Sequence, residues 1–378
     1  MSEKTINKVP NVPNLRFFND DNTWSNSSLE KKCKFVGGGT PSTLNQDYWN
    51  GDIAWISSAD LLEENVHKYN VSRFITKEAI MNSATKICPI NTIMIVSRVG
   101  VGKIAISNSE ICTSQDFTNL TEYQFDKNFL VYSLKNTIEK LKNSSQGTSI
   151  KGITSKEIKQ INIFYPEIIE QCKIGLFFKK IDERIEFQSK IIKEYKSYRN
   201  RILHTIYNDL NDFDYISLNQ LCSITTGKLD ANAMNPNGKY KFFTCAKEDY
   251  YIDKYSFEGE SLIISGNGEV GLIKYFNGKF DAYQRTYVLQ NFIKNPLYIK
   301  FALEIELPKK LHREKNVGAM PYIVLSTLTG IKVKIPNKEL ISKITLIVTS
   351  LDKKIAIEEQ ILNDYLLQKK YLLANMFI

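Results

Sequence analysis

The chain repeats itself once, and no other feature limits its fold as much. Ser28-Leu29-Glu30-Lys31-Lys32-Cys33 returns as Ser217-Leu218-Asn219-Gln220-Leu221-Cys222, 189 residues later. Each copy then enters a glycine turn, Gly37-Gly38-Gly39-Thr40 or Thr226-Gly227-Lys228. Ile93-Met94-Ile95-Val96-Ser97 matches Leu262-Ile263-Ile264-Ser265, and Gly102 and Gln115 match Gly271 and Gln284 at an offset of 169. The run Ile161 to Pro166 matches Ile331 to Pro336 at 170, as does Ile181-Asp182 with Leu351-Asp352. The falling offset gives the first copy about twenty extra residues before Ile93. Constant order and period identify two copies of one unit.

Each copy has two textures. Residues near 15–166 and 212–336 are rich in Gly, Asn, Thr and aromatics, with short β-branched runs such as Thr92 to Val96 and Tyr287 to Leu289. Runs of that length between turn residues predict mixed, strand-rich domains. The stretches 167–210 and 337–377 have no Pro and, beyond Gly175, no Gly. Their apolar residues recur at helical spacing: Ile174, Phe178, Ile181, Ile185, Ile192, Tyr195, Ile202, Ile206, then Ile344, Ile347, Leu351, Ile355, Leu362, Tyr365 and Leu366. Pro166 and Pro336 mark the starts, with Glu167 and Glu339 near the positive end of each dipole. As helices these stretches are about 60 Å long. A lone helix of that length cannot hide its stripe, so an antiparallel coiled coil is expected, with ordinary core helices of two domains as the alternative. The expected fold class is α+β: two similar mixed α/β domains, 1–166 and 212–336, separated by two long antiparallel helices, 167–211 and 337–378, in a pseudo-twofold repeat.

The 378 residues carry 50 Lys+Arg against 41 Asp+Glu, a formal charge of +9, and their composition excludes collagenous, disordered and disulfide-scaffold classes. No apolar stretch approaches the ~18 residues of a membrane span, and Met1-Ser2-Glu3-Lys4 lacks a signal-peptide core. A cytoplasmic protein without membrane contact is expected. Six cysteines without a CxxC pair and three scattered histidines predict reduced thiols and no metal site.

Two motifs are decoys. Gly100-Val101-Gly102-Lys103 lacks the glycine and the Ser/Thr that a phosphate loop needs, because those positions are Ser97 and Ile104, and it is expected to be a hairpin turn. Asn295-Pro296-Leu297-Tyr298 resembles the Asn-Pro-Pro-Tyr loop of amino-methyltransferases. The repeat aligns Pro296-Leu297 with Lys127-Asn128 and Tyr298-Ile299 with Phe129-Leu130, so the start of a helix is expected. No catalytic constellation stands out, which favours a binding protein.

Basic and polar residues beside aromatics at loop positions are the candidates for DNA contact. In the first copy they are Thr40, Ser42, Trp55, Ser57, Ser58, Arg98, Lys103, Gln115, Gln146, Thr148 and Lys151. In the second they are Lys228, Thr244, Lys247, Asn267, Gln284, Arg285, Lys315, Asn316 and Tyr322. Arg reads guanine, Asn and Gln read adenine, and Lys holds phosphates. Gln115 and Gln284 stand out because both copies keep an amide after the same turn.

Several of these stretches together resemble the specificity subunit of type I DNA restriction–modification enzymes. They are Val12 to Phe17 with Trp24, Gly38-Gly39-Thr40-Pro41-Ser42 with Tyr48-Trp49 and Ile53-Ala54-Trp55, Gly147-Thr148 before Ile161 to Pro166, and the helix containing Phe177 to Phe187. The resemblance implies two target-recognition domains, each reading half of a split, asymmetric double-stranded DNA target. It implies helices that set the gap and dock two methyltransferase subunits, through a region including Phe178, Ile181, Ile185, Ile192, Tyr195, Ile202, Leu351, Ile355, Leu362 and Tyr365. This chain is then non-catalytic and without a cofactor. S-adenosylmethionine serves the methyltransferase subunits, and ATP and Mg serve two restriction (motor-nuclease) subunits. The unequal glycine turns imply domains of different subtype and unequal half-sites. A stand-alone DNA methyltransferase or nuclease, or a coiled-coil protein scaffold, are the rival readings.

Overall fold

The computed structural model describes residues 11–18, 23–98, 100–144, 152–314 and 322–378. Contacts group the chain into two compact units, 1–190 with 360–378, and 191–359. Each unit therefore takes in part of each long helix, where sequence texture alone separates domains from helices.

The first unit contains β1 (Ser25–Ser28), α1 (Leu29–Lys32), β2 (Cys33–Gly37), β3 (Ile53–Ile56), β4 (Arg73–Ile75), α2 (Lys77–Met81), β5 (Ile93–Val96), β6 (Ile104–Ile106), β7 (Cys112–Thr113), β8 (Phe117–Tyr123), α3 (Lys127–Ser144), α4 (Ser155–Gln160), β9 (Asn162–Tyr165) and the first part of α5 (Ile168–Asn208). The second continues with β10 (Asp214–Ser217), α6 (Leu218–Leu221), β11 (Ser223–Thr226), β12 (Tyr240–Phe243), β13 (Tyr250–Ile252), β14 (Phe257–Ser265), β15 (Ile273–Ala282), β16 (Thr286–Gln290), α7 (Pro296–Glu314), α8 (Leu325–Thr329), β17 (Lys332–Ile335) and the first part of α9 (Lys338–Met376). The last turns of α9 return to the first unit.

The sheets show the repeat as topology. The second unit has one six-stranded sheet, β11-β16-β14-β15-β12-β13. The first has β2-β8-β5-β6 beside β4-β3-β7. Strand β15 runs unbroken where the first copy divides into β6 and β7, and both β12–β15 and β3–β7 pair in parallel. Antiparallel ribbons β1–β9 and β10–β17 close each copy with the same register, Ser28 opposite Asn162 and Ser217 opposite Lys332. Gly100 and Gly102 adopt φ of 82° and 92° between β5 and β6, the hairpin turn expected there. Asn295 caps α7, its Oδ1 accepting from the Tyr298 amide at 3.1 Å, while buried Tyr298 donates its hydroxyl to the Lys334 carbonyl. That geometry is a helix start.

The long helices pair antiparallel in both units and also enter each core. In the first unit, Ile174, Phe178, Ile181 and Ile185 of α5 pack with Leu373, Met376 and Phe377 from the chain's end. In the second, Leu203 and Tyr207 pack with Ile341, Ile344 and Val348. The ion pairs across the helices are reciprocal. Asp182 pairs with Lys369 in the first unit, and Arg199 pairs with Asp352 at 2.8 Å in the second. Asp182 and Asp352 are repeat equivalents, as are Arg199 and Lys369, all at an offset of 170. Each unit thus pairs the aspartate of one helix with the basic residue of the other.

Candidate nucleic-acid interface

Four backbone hydrogen bonds, repeated in both units, gather the candidate loops at one end of each sheet. Ser97 N donates to Asp116 O at 2.7 Å, and Gly266 N to Arg285 O at 3.0 Å. Ser114 N reaches Ile56 O and Tyr283 N reaches Phe243 O, both at 2.9 Å. Ile153 N to Ser97 O matches Ile323 N to Gly266 O, both 2.8 Å. Gly102 N to Val96 O (3.2 Å) matches Gly271 N to Ser265 O (2.9 Å), and Ser107 N to Thr92 O at 2.8 Å continues the first hairpin. The glycine turns themselves are tied differently: Gly39 N donates to Thr113 O of β7 at 2.8 Å, and Gly227 N to Thr286 O of β16 at 3.2 Å.

The glycines are there because backbone passes against backbone. A Cβ on Gly38 would lie 1.9 Å from the Ser114 carbonyl oxygen, and one on Gly227 would lie 1.9 Å from that of Ala282. The next residues along those strands lead into Gln115 and Gln284, both exposed. So the same close approach sets one glutamine amide at the same place in each unit.

The first site is built on a buried aromatic. Trp55 is 3% exposed, donates its indole N–H to Gly39 O at 2.9 Å, and carries the Arg73 guanidinium 4.4 Å over its ring. Trp49 meets Trp55 edge-on and donates to Ser42 O at 3.1 Å. Arg73 continues to Ser57 Oγ at 2.6 Å and Asp60 Oδ2 at 2.8 Å. Burial would raise the Asp60 carboxyl, but the Ser57 amide and hydroxyl and the Arg73 charge outweigh it and hold the pKa below the usual range. Lys103 donates its ammonium to the Ser58 and Leu61 carbonyls, so it pins the loop after β3. Thr40 hydrogen-bonds Gln115, Ser42 is exposed two residues after Thr40, and Arg98 is exposed next to Ser97, whose amide binds the Asp116 carbonyl.

In the second unit Lys274 takes the loop-pinning task, donating to Ala246 O at 3.3 Å, Lys247 O at 2.7 Å and Asp249 at 2.9 Å. Thr244 is half-buried, its Oγ1 accepting from Ala246 N. Asn267 is half-buried, while Lys228, Lys247, Gln284, Arg285 and Tyr322 are exposed. Gln284 N donates to Leu229 O at 2.9 Å, which places Lys228 next to the Gln284 loop. Gln146, Thr148, Lys151, Lys315 and Asn316 lie outside the described residues.

Arg73 and Lys274 are the functional-looking side chains that sequence reading missed. Neither sits in a turn or a repeated motif, and only the fold brings each to its loop. On the helices, Phe178, Ile181, Ile185, Ile192 and Ile355 are buried and Tyr195, Ile202, Leu351, Leu362 and Tyr365 half-buried. Among the exposed apolar residues of the helices, Leu176 and Leu346, and Phe187 and Ile357, are two pairs of repeat equivalents. Among the described residues no group of His, Cys, Asp or Glu is arranged to hold a metal ion, and no helix is long and apolar enough to cross a membrane.

Two segments, 21–196 and 211–364, each match the type I restriction modification DNA specificity domain. The specificity subunit of the MjaIX enzyme of Methanocaldococcus jannaschii is 24% identical, over 88% of this chain and 87% of that one. The EcoDI specificity subunit of Escherichia coli is 36% identical over 145 residues, 38% of this chain and 32% of that protein's length. Among solved structures, the S subunit from M. genitalium superposes with a TM-score of 0.62 at 19% identity, over 97% of this chain and 99% of that chain. With two matched domains, the duplicated fold and paired loop sites, the chain belongs to the type I restriction–modification DNA specificity family.

Proposed function

We propose that each unit reads one half of a bipartite, asymmetric DNA target, and that this chain is the non-catalytic recognition subunit of a larger complex. The observation that carries this reading is the equivalent placement of Gln115 and Gln284 on loops tied by the same hydrogen bonds. An exposed amide beside Arg98 or Arg285 and Lys228 offers donors and acceptors to base edges, and surrounding lysines take phosphates in a salt-sensitive way. The side chains differ between the units, so the half-sites differ. The paired helices hold the spacing, and the exposed pairs Leu176 with Leu346 and Phe187 with Ile357, at equivalent positions, suit two copies of a methyltransferase subunit. S-adenosylmethionine belongs to those subunits, and ATP and Mg to two restriction subunits.

The test is modular. Exchanging residues 15–150 for those of another family member is expected to change one methylated half-site and leave the other, as mapped on methylated adenines. Four residues inserted in α5 add about 6 Å of helix and should lengthen the gap by about two base pairs. Altered methylation of both halves, or an unchanged gap, overturns the reading.

A further inference from the structure

In the first unit, the second turn onward of α3 faces the end of α9 across a cavity of about 560 Å³. Lysines dominate its lining. Lys369, buried, is balanced by Asp182. Among the described residues Lys135, 9% exposed, has only a peptide oxygen, the Glu63 carbonyl at 2.6 Å. Burial lowers the pKa of Lys135, and the neighbouring charge of Lys369 lowers it further, with Glu139, Asp182 and Glu64 opposing. Lys140, Lys142 and Lys370 line the same cavity and form no ion pair among the described residues, against two acids, Glu64 and Glu139. Asn136, 6% exposed, also lines it, and its amide nitrogen has no acceptor among the described residues.

The second unit shows what is missing. The repeat equivalent of Lys369 is Arg199, and that of Lys135 is Glu304, at offsets of 170 and 169. There the Glu304 carboxylate lies 2.6 Å from the Arg199 guanidinium, so the basic position receives a second anion from α7. In the first unit a cation stands where that carboxylate belongs. Peptide carbonyls of Glu63 and Glu64, from the extra residues of the first copy, contact the two ammonium groups but bring no charge.

We propose that this cavity binds a small phosphate-bearing anion, of the class of pyrophosphate or the phosphate tail of a nucleotide, which takes the place of the absent carboxylate. Such an anion has oxygens enough to meet Lys135, the rim lysines and the Asn136 donor together. A duplex backbone is disfavoured because Lys135 and Asn136 are recessed, and phosphodiesters held on a double helix cannot enter.

The experiment is thermal unfolding of the full chain in magnesium-free pyrophosphate at constant ionic strength. ATP in place of pyrophosphate, and adenosine as control, distinguish a nucleotide tail from an inorganic source. A saturable rise in melting temperature with pyrophosphate or ATP, absent with adenosine, is expected. Lys135→Glu restores the arrangement of the second unit and should abolish the response in a folded, stabilised protein. Lys140→Gln with Lys370→Gln, both exposed, should weaken binding ~10-fold or more through lost charge-assisted bonds. No saturable response, a response unchanged in both variants, or displacement of pyrophosphate by duplex DNA overturns the proposal.

Discussion

In the first unit Arg73 crosses the face of Trp55 and ends on Asp60, while in the second Lys274 reaches two peptide oxygens and Asp249. The two side chains start from different strands and share no sequence pattern, yet each anchors the loop that follows β3 or β12. Beneath them four backbone ties recur pair by pair. Backbone bonds are indifferent to side-chain identity, so a frame made of them survives while the residues it presents change. That separation is what a recognition module needs if its target is to vary without refolding.

The helix clasps allow the sharpest break in this comparison. Lys369 and Asp182 are 6% and 3% exposed, whereas the partners of Arg199, Asp352 and Glu304, are 39% and 24% exposed. Removing one member of a buried pair strands the other, so Lys369→Met should cost about 3–5 kcal/mol. Arg199→Met leaves carboxylates that water reaches, and the loss should be smaller, about 1–2 kcal/mol after screening. Urea unfolding measures both, and equal losses would mean that burial does not distinguish the clasps.

Next in size are the glycines. Gly38→Ala and Gly227→Ala each force a methyl group against a carbonyl oxygen that cannot swing away, and each should cost about 2–3 kcal/mol. Gly37→Ala meets nothing within 4 Å and should change stability by less than about 0.5 kcal/mol. A similar cost at Gly37 would show that backbone entropy, and not close approach, explains the turn.

These glycines also mark how far the sequence could be read. The repeat, both long helices, the Gly100 to Lys103 hairpin and the Asn295 helix start were legible because each rests on local spacing. The division of one strand into β6 and β7 was not, since it depends on where the extra residues of the first copy pack. Trp55 illustrates the same limit: a tryptophan after a turn looks like a contact residue, but its indole is spent on Gly39 inside the fold. The reciprocal ion pairs were half visible. Asp182 and Asp352 match by type, but Arg199 and Lys369 match only in charge, and nothing in one helix says which residue faces it.

Side chains at the loop tips should move specificity and leave stability alone. Gln115→Ala and Gln284→Ala remove exposed amides, and each should relax discrimination at one half-site by about 1–3 kcal/mol, read from the spread of methylated sequences. If either change alters both halves, the two sites are not independent.

The smallest effect is on the acid side of the stability profile, where the two pinned loops should behave alike. Asp60 and Asp249 both have pKa values below the ordinary 3.8: burial alone would raise each, but Ser57 and Arg73 at Asp60, and Lys274 and Lys241 at Asp249, outweigh it. A carboxyl whose folded pKa lies below its unfolded value binds protons more readily when unfolded. Its support for the fold is complete above the unfolded pKa and disappears as the pH falls through the folded one. Unfolding midpoints taken from neutral pH down through pH 3 should therefore drop more steeply in the parent chain than in Asp60→Asn, with a shallower version of the same difference for the more exposed Asp249→Asn. A difference that grew toward alkaline pH would reverse the sign and remove the Arg73 and Lys274 anchors as its cause, leaving the backbone ties as the only feature the two loops share.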